Sequence, residues 1–107
     1  MKLKKTSCPP ECPVQKTADL LGGKWTPLIV RDLLSGPKRY SQLRASVGDI
    51  SPRILAARLK HLVGAGVAAR KVFPTVPPQT EYSLTARGRE LGPVIAAMAR
   101  FGSRRPG

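Results

Sequence analysis

Acidic side chains are scarce in this sequence. Six Asp and Glu stand against 19 Lys and Arg in 107 residues, a formal net charge of +13 and a pI near 11.0. With few carboxylates and a single histidine, the chain offers no carboxylate pair, no Ser/His/Asp set and no phosphate-binding glycine loop on which to build catalysis. Cysteine is equally sparse. Cys8 and Cys12 give one C-x3-C spacing without the second ligand pair that a zinc module requires. No apolar run is long enough to span a bilayer. The basic start Met1 to Thr6 is followed by Ser7-Cys8-Pro9-Pro10 rather than by the apolar stretch of a secretion signal. These absences predict a cytoplasmic, non-enzymatic protein with no membrane partner and no cofactor. Its cysteines are expected as thiols rather than as a structural disulfide. Neither internal repeats nor long low-complexity segments are present.

What is abundant is positive charge, and an excess of this size selects a polyanionic partner, nucleic acid before an anionic membrane surface. Hydrophobic residues make up 41% of the chain, ordinary for a globular protein. The length suits one domain with a modest core. Residues 1–11 read as a flexible basic arm, 12–102 as the folded domain and 103–107 as a frayed basic tail.

Ile50 to Gly66 organises the domain. Ser51 is a good N-cap and Pro52 suits the first helical position; Gly64 and Gly66 mark the exit. At about 100° per residue, Leu55, Leu59 and Leu62 share one face, while Arg53, Ala57 and Lys60 fall roughly opposite, with no acid in the helix. Upstream, Val14, Ala18 and Leu21 lie at helical spacing up to Gly22-Gly23. Thr26 and Pro27 are read as cap and first residue of a second helix, apolar around much of its girth and therefore central to the core. Lys38-Arg39-Tyr40 reads as extended, and Ser41 as the cap of a brief helix to Val47. The pair of helices joined through Gly48-Asp49-Ile50 has the form of a helix-turn-helix. Val67 to Phe73 and Thr80 to Leu84 follow as strands around the loop Pro74 to Gln79. Thr85 then caps a last helix carrying Leu91, Val94, Ile95, Met98 and Phe101, with Pro93 forcing a kink or a late start. The expected fold is mainly α with a small β-hairpin wing, a winged helix-turn-helix.

From Cys12 to Phe101 the sequence resembles the HxlR-type transcriptional regulators, relatives of the MarR group. The resemblance rests on Cys12-Pro13-Val14, Gly22-Gly23-Lys24-Trp25, Gly36-Pro37-Lys38-Arg39-Tyr40-Ser41-Gln42-Leu43-Arg44 and Ile50-Ser51-Pro52-Arg53-Ile54-Leu55. Pro74-Thr75-Val76-Pro77-Pro78, Glu81-Tyr82-Ser83-Leu84-Thr85 and Gly88 complete it. It implies a homodimer on a roughly palindromic operator, formed through the terminal helices, here Val14, Leu21, Leu91, Ile95, Met98 and Phe101. Two features depart from the family pattern: Gln79 stands where a basic residue often follows the paired prolines, and the tail after Phe101 is short.

Within this frame Arg53, at the start of the recognition helix after Ser51 and Pro52, is the candidate base reader, since guanidinium matches the paired acceptors of guanine. The alternative is an ordinary solvated arginine. Ala57 can approach a thymine methyl, and Lys60 a phosphate. Ser41, Gln42 and Arg44, then Lys38, Arg39, Arg70 and Lys71, are candidates for backbone contact, although Ser41 has pure capping as an equal alternative. Trp25 is read as core, with an effector pocket as its other use, and His61 as structural rather than metal-ligating. Cys12 precedes a helix, whose N-terminus together with the basic arm favours a thiolate. A thiol sensor for a small electrophile or oxidant is one reading, since the resemblance extends to relatives that sense quinones, aldehydes or hypochlorite. A small buried residue at the dimer interface is the other. A disulfide to Cys8 or between subunits stays open. The competing functions are a basic RNA- or ribosome-associated protein and a thiol-redox enzyme; the leading one is a dimeric, sequence-specific DNA-binding regulator, a repressor.

Overall fold

The recognition segment folds as its local signals direct. In the computed structural model, which describes residues 11–104, the helix runs Pro52–Gly64, and the Ser51 hydroxyl accepts from the Ile54 N–H at 3.2 Å. Leu55, Leu59 and Leu62 are fully buried, each contributing about 1.5–3 kcal/mol of transfer free energy. Among the described residues the order is α1 (Pro13–Leu20), α2 (Thr26–Leu34), β1 (Lys38–Arg39), α3 (Tyr40–Val47), α4 (Pro52–Gly64), β2 (Ala68–Phe73), β3 (Gln79–Leu84), α5 (Ala86–Arg89) and α6 (Gly92–Ser103). The core lies where α2, α3, α4 and the roots of β2 and β3 meet, around Ile29, Val30, Leu33, Leu43 and the three leucines of α4. Hence α2 is the central helix, as its apolar girth predicts.

Two expected caps are corrected. Thr26 does not cap α2; Trp25 occupies that position in an αR conformation, and Thr26 is the first helical residue and wholly buried. Ser41 does not cap α3. The cap is Arg39, whose N–H donates to Gln42 Oε1 at 2.8 Å, so the helix begins one residue earlier, at Tyr40. The cause is β1. Lys38 and Arg39 are not a free extended piece but pair antiparallel with Tyr82 and Glu81, making a three-stranded sheet in the order β1-β3-β2. The strand holds the chain extended up to Arg39 and releases it into helix immediately afterwards.

The two-helix turn passes through Gly48 at φ 117°, a backbone conformation in which a Cβ is strained. At the other end Thr85 is a cap, its hydroxyl accepting from Gly88 N–H at 3.1 Å while donating to Gly66 O at 2.8 Å, but of the short α5. The expected helix carrying Val94, Ile95, Met98 and Phe101 is the separate α6, capped by Leu91. Pro93 gives a late start rather than a kink: α5 ends at Arg89, and α6 opens with proline in its first turn, where a missing N–H is harmless. No described helix is long and apolar enough to cross a membrane. The expected 1–11 arm, apart from Glu11, and the end of the tail lie outside the described residues; Ser103 closes α6.

Candidate nucleic-acid interface

Burying Leu55, Leu59 and Leu62 leaves the opposite face of α4 to solvent, and Arg53, Ala57 and Lys60 are all exposed there. Arg53 sits in the first turn, which holds no acid. A cation near a helix N-terminus opposes the macrodipole by a few tenths of a kcal/mol or more. Its position is therefore unfavourable for the helix itself and well suited to an external anion or base edge. From Lys38 to Lys71 the chain carries Lys38, Arg39, Arg44, Arg53, Arg58, Lys60, Arg70 and Lys71 against one acid, Asp49. Arg44 on α3 is exposed, as are Ser41 and Gln42, and among the described residues none of Arg44, Arg53 and Lys60 is in an ion pair.

Strand pairing sorts the remaining basic residues. Along the sheet, Lys38, Tyr82 and Arg70 are in register, as are Arg39, Glu81 and Lys71. Neighbouring residues of a strand point to opposite faces, so Arg70 and Lys71 do not line one surface together. Lys38 is half-buried and already engaged: its ammonium donates to Ser35 Oγ at 2.9 Å and to Gly36 O at 3.5 Å. Lys71 Nζ lies 5.0 Å from the centre of the Phe73 ring. Arg39 is exposed and opens a cleft of about 340 Å³ between the start of α3 and the loop end of the wing, with Ser41, Gln79 and Thr80 on its walls. Burial raises the Tyr82 phenol above its ordinary value; Arg70 works against this and Tyr40 adds to it, placing all three beside one another.

Tyr40 is the residue that the sequence reading passed over. Its hydroxyl donates to Pro52 O at 3.0 Å, joining the first residue of α3 to the first residue of α4. Its earlier signals were its place at the end of the Lys38-Arg39-Tyr40 segment, read as extended, and within the Gly36 to Arg44 motif; it is instead the first residue of α3. Tyr40→Phe removes that bond and keeps the ring, so a stability loss of about 0.5–1.5 kcal/mol is expected. Urea unfolding checks this; a midpoint equal to that of the parent would show the bond to contribute nothing net.

The terminal helices divide otherwise than expected. Leu21 and Leu91 are largely covered within the protomer, at 9% and 8% exposure, and Leu21 also forms part of the wall of the groove between α1, α2 and α6. Hydrophobic spacing places a side chain on a face without saying which body covers it. Val14 (74% exposed), Met98 (47%) and Phe101 (77%) remain open, with Ile95 half-buried. Val14 and Met98 border an open groove of about 630 Å³ between α1, the start of α2 and α6. Cys12 stands at the N-cap of α1 and is buried, as its flanking sequence suggested. The expectation of a free thiol is corrected: Cys12 is disulfide-bonded. Cys8, the other cysteine of the sequence, lies outside the described residues. Trp25 packs against the core, with the Lys24 ammonium 4.6 Å from its ring centre, and His61 is exposed on the last turn of α4.

Residues 20–106 match the model of the HxlR-like helix-turn-helix family. This chain belongs to that family. An HTH-type transcriptional regulator of Synechocystis sp. is 46% identical over 92 residues, which are 86% of this chain and 68% of that one. A MarR-family transcriptional regulator from Porphyromonas gingivalis W83 superimposes with a TM-score of 0.88 at 38% identity, covering 94% of this chain and 98% of the other. The redox regulator HypR in its oxidised form is also similar, with a TM-score of 0.82 at 38% identity over 90% of this chain and all of that one. The HxlR-like chain is thus a winged-helix transcriptional regulator, mainly helical with a small antiparallel sheet.

Proposed function

We propose that this HxlR-like regulator acts in the cytoplasm as a homodimeric repressor on a palindromic operator, with α4 of each protomer in a major groove. The observation that carries the reading is the two-sided character of α4: three leucines wholly buried, and Arg53, Ala57 and Lys60 exposed on a side free of acids. Arg53 reads a base, Lys60 and Arg44 meet phosphates, and Ser41 and Gln42 contribute at the start of α3. Wing and helix together cover enough promoter to exclude polymerase. Dimerisation is supported by α1 and α6, neither of which has a fully buried residue. The groove between them, bordered by Val14 and Met98, with Phe101 farther along α6, is suited to the same elements of a second copy. Two-fold symmetry then sets the half-sites about one helical turn, roughly 34–36 Å, or a multiple of it apart.

Selection of binding sites from random duplex DNA at moderate salt tests this directly. An enriched inverted repeat that survives competitor DNA is the expected result. Binding without any enriched sequence, lost as salt rises, would leave only electrostatic attachment.

Cys12 supports a redox input. It is a buried sulfur at the head of α1, in a chain similar to the redox regulator HypR, and its thiol and disulfide forms differ in what they tie to that helix. With the protein first reduced, diamide is expected to release the parent from its operator by tenfold or more, about 1.4 kcal/mol. Cys12→Ser should remain bound. Equal release of both in a mobility-shift titration removes Cys12 from the mechanism.

A further inference from the structure

The turn between α1 and α2 is packed on both sides. Gly22 stands against the end of α1, where a Cβ would lie 3.2 Å from Ala18 O and 3.5 Å from Asp19 O. Gly23, at φ 87°, stands against α4 instead: a Cβ there would meet Arg58 Nη2 at 3.4 Å, Cζ at 3.7 Å and Nε at 3.8 Å. The Arg58 guanidinium is thus laid against the turn rather than extended into solvent. Arg58 is half-buried, and its Nε is closed off from solvent without a hydrogen-bond acceptor. Among the described residues no carboxylate forms an ion pair with it. A buried donor left unpaired is unfavourable, so an aliphatic chain would fill this place at lower cost to the fold. α1, for its part, has no buried residue. It is held to the body at its C-terminal end, by Leu20 and Leu21, and runs from there straight into the two glycines.

We propose that Arg58 is a positioning residue that couples α1 to the recognition helix, so that a change of state at Cys12 reaches α4. This inference rests on the redox input proposed above and supplies its route. Cys12 stands at the opposite end of α1 from the turn. Oxidation takes one electron and one proton from each of two thiols, Cys12 and its partner cysteine, and joins the sulfurs. Both electrons and both protons pass to the oxidant, here diamide, which becomes a hydrazine. α1, anchored at one end only, tilts about Gly22 and Gly23 between the two forms. With helix carbonyls on one side and a guanidinium on the other, the turn has no space in which to absorb the tilt. Arg58 is displaced with it, and the side chain leaves α4 between Ala57 and Leu59, beside the face that carries Arg53 and Lys60. Lysine in its place keeps the charge without the planar contact, and methionine keeps apolar length without either.

The ratio of operator affinities in the reduced and diamide-oxidised full-length dimer measures this coupling. The parent should show about tenfold or more, and Arg58→Lys and Arg58→Met about threefold or less. Reduced Arg58→Lys should bind the operator as the parent does, and the urea midpoint of Arg58→Met should match or exceed the parent's, since an unpaired buried nitrogen is removed. Equal ratios in the parent and both variants overturn the Arg58 route and leave the Cys12 input standing. Affinity lost by one factor in both redox states reveals an ordinary contact, and overturns the route as well. A parent that diamide does not release overturns it together with the redox input.

Discussion

Gly88→Ala is expected to lower stability by about 3 kcal/mol or more, although alanine is the better helix former. Gly88 is buried in α5, directly against the backbone of Val67. A Cβ there would overlap the Val67 carbonyl oxygen, stand 2.9 Å from its carbon and press within 3.1 Å of Leu84 Cδ2. A flexible side chain could swing away, but this carbonyl cannot, because it accepts the Thr85 N–H at 3.0 Å. The propensity gain of about 1 kcal/mol is outweighed by overpacking against fixed backbone, which costs about 1–3 kcal/mol and more where nothing can yield. The α5 turn would have to lift from β2 and β3, taking the Thr85–Gly66 bond with it. For a domain of this size the midpoint of thermal unfolding should fall by upwards of about 10 °C. A fall of only a degree or two would show that α5 is not seated as described.

Arg53→Ala carries the largest functional effect. Loss of one base contact costs about 1–3 kcal/mol per half-site, hence about 2–6 kcal/mol for a symmetric dimer if the half-sites are independent. Base preference should relax at one position of each half-site. Folding should not suffer. Arg53 is exposed in the acid-free first turn of α4, where removing a cation relieves the macrodipole by a few tenths of a kcal/mol. Binding and stability should therefore move in opposite directions, which a misfolded variant cannot imitate. Lys60→Ala is the matched control, weakening all sequences alike and reducing the salt slope by about one per half-site. Unchanged base preference in Arg53→Ala would end its assignment as a reader.

The recognition helix was legible because its signals are local. Ser51, Pro52 and the glycines act on their neighbours, and the leucine spacing needs only a core to face. Thr26 and Ser41 were misread for the converse reason. A hydroxyl before a helix is a capping signal only if the chain around it is free to turn. At Ser41 the pairing of Lys38 and Arg39 with β3, more than 40 residues later in sequence, decides where the turn falls. At Thr26 burial against the core takes the hydroxyl out of reach of a capping role. Leu21 and Leu91 show another limit at the terminal helices, where helical spacing does not say how much of each side chain its own protomer covers.

The short strand β1 has a mechanical consequence. It runs straight into α3 and is hydrogen-bonded to β3, while Tyr40 ties α3 to α4. α4 and the wing are therefore joined through α3 and β1 by backbone pairing and a side-chain hydrogen bond. Moving the flank of a half-site by one base pair shifts it about 3.4 Å along the duplex axis and turns it by roughly 35°. If α4 and the wing both touch the operator as proposed, the protomer would work as a caliper, and the gap between the two contacts would be as much a part of its recognition as the bases themselves.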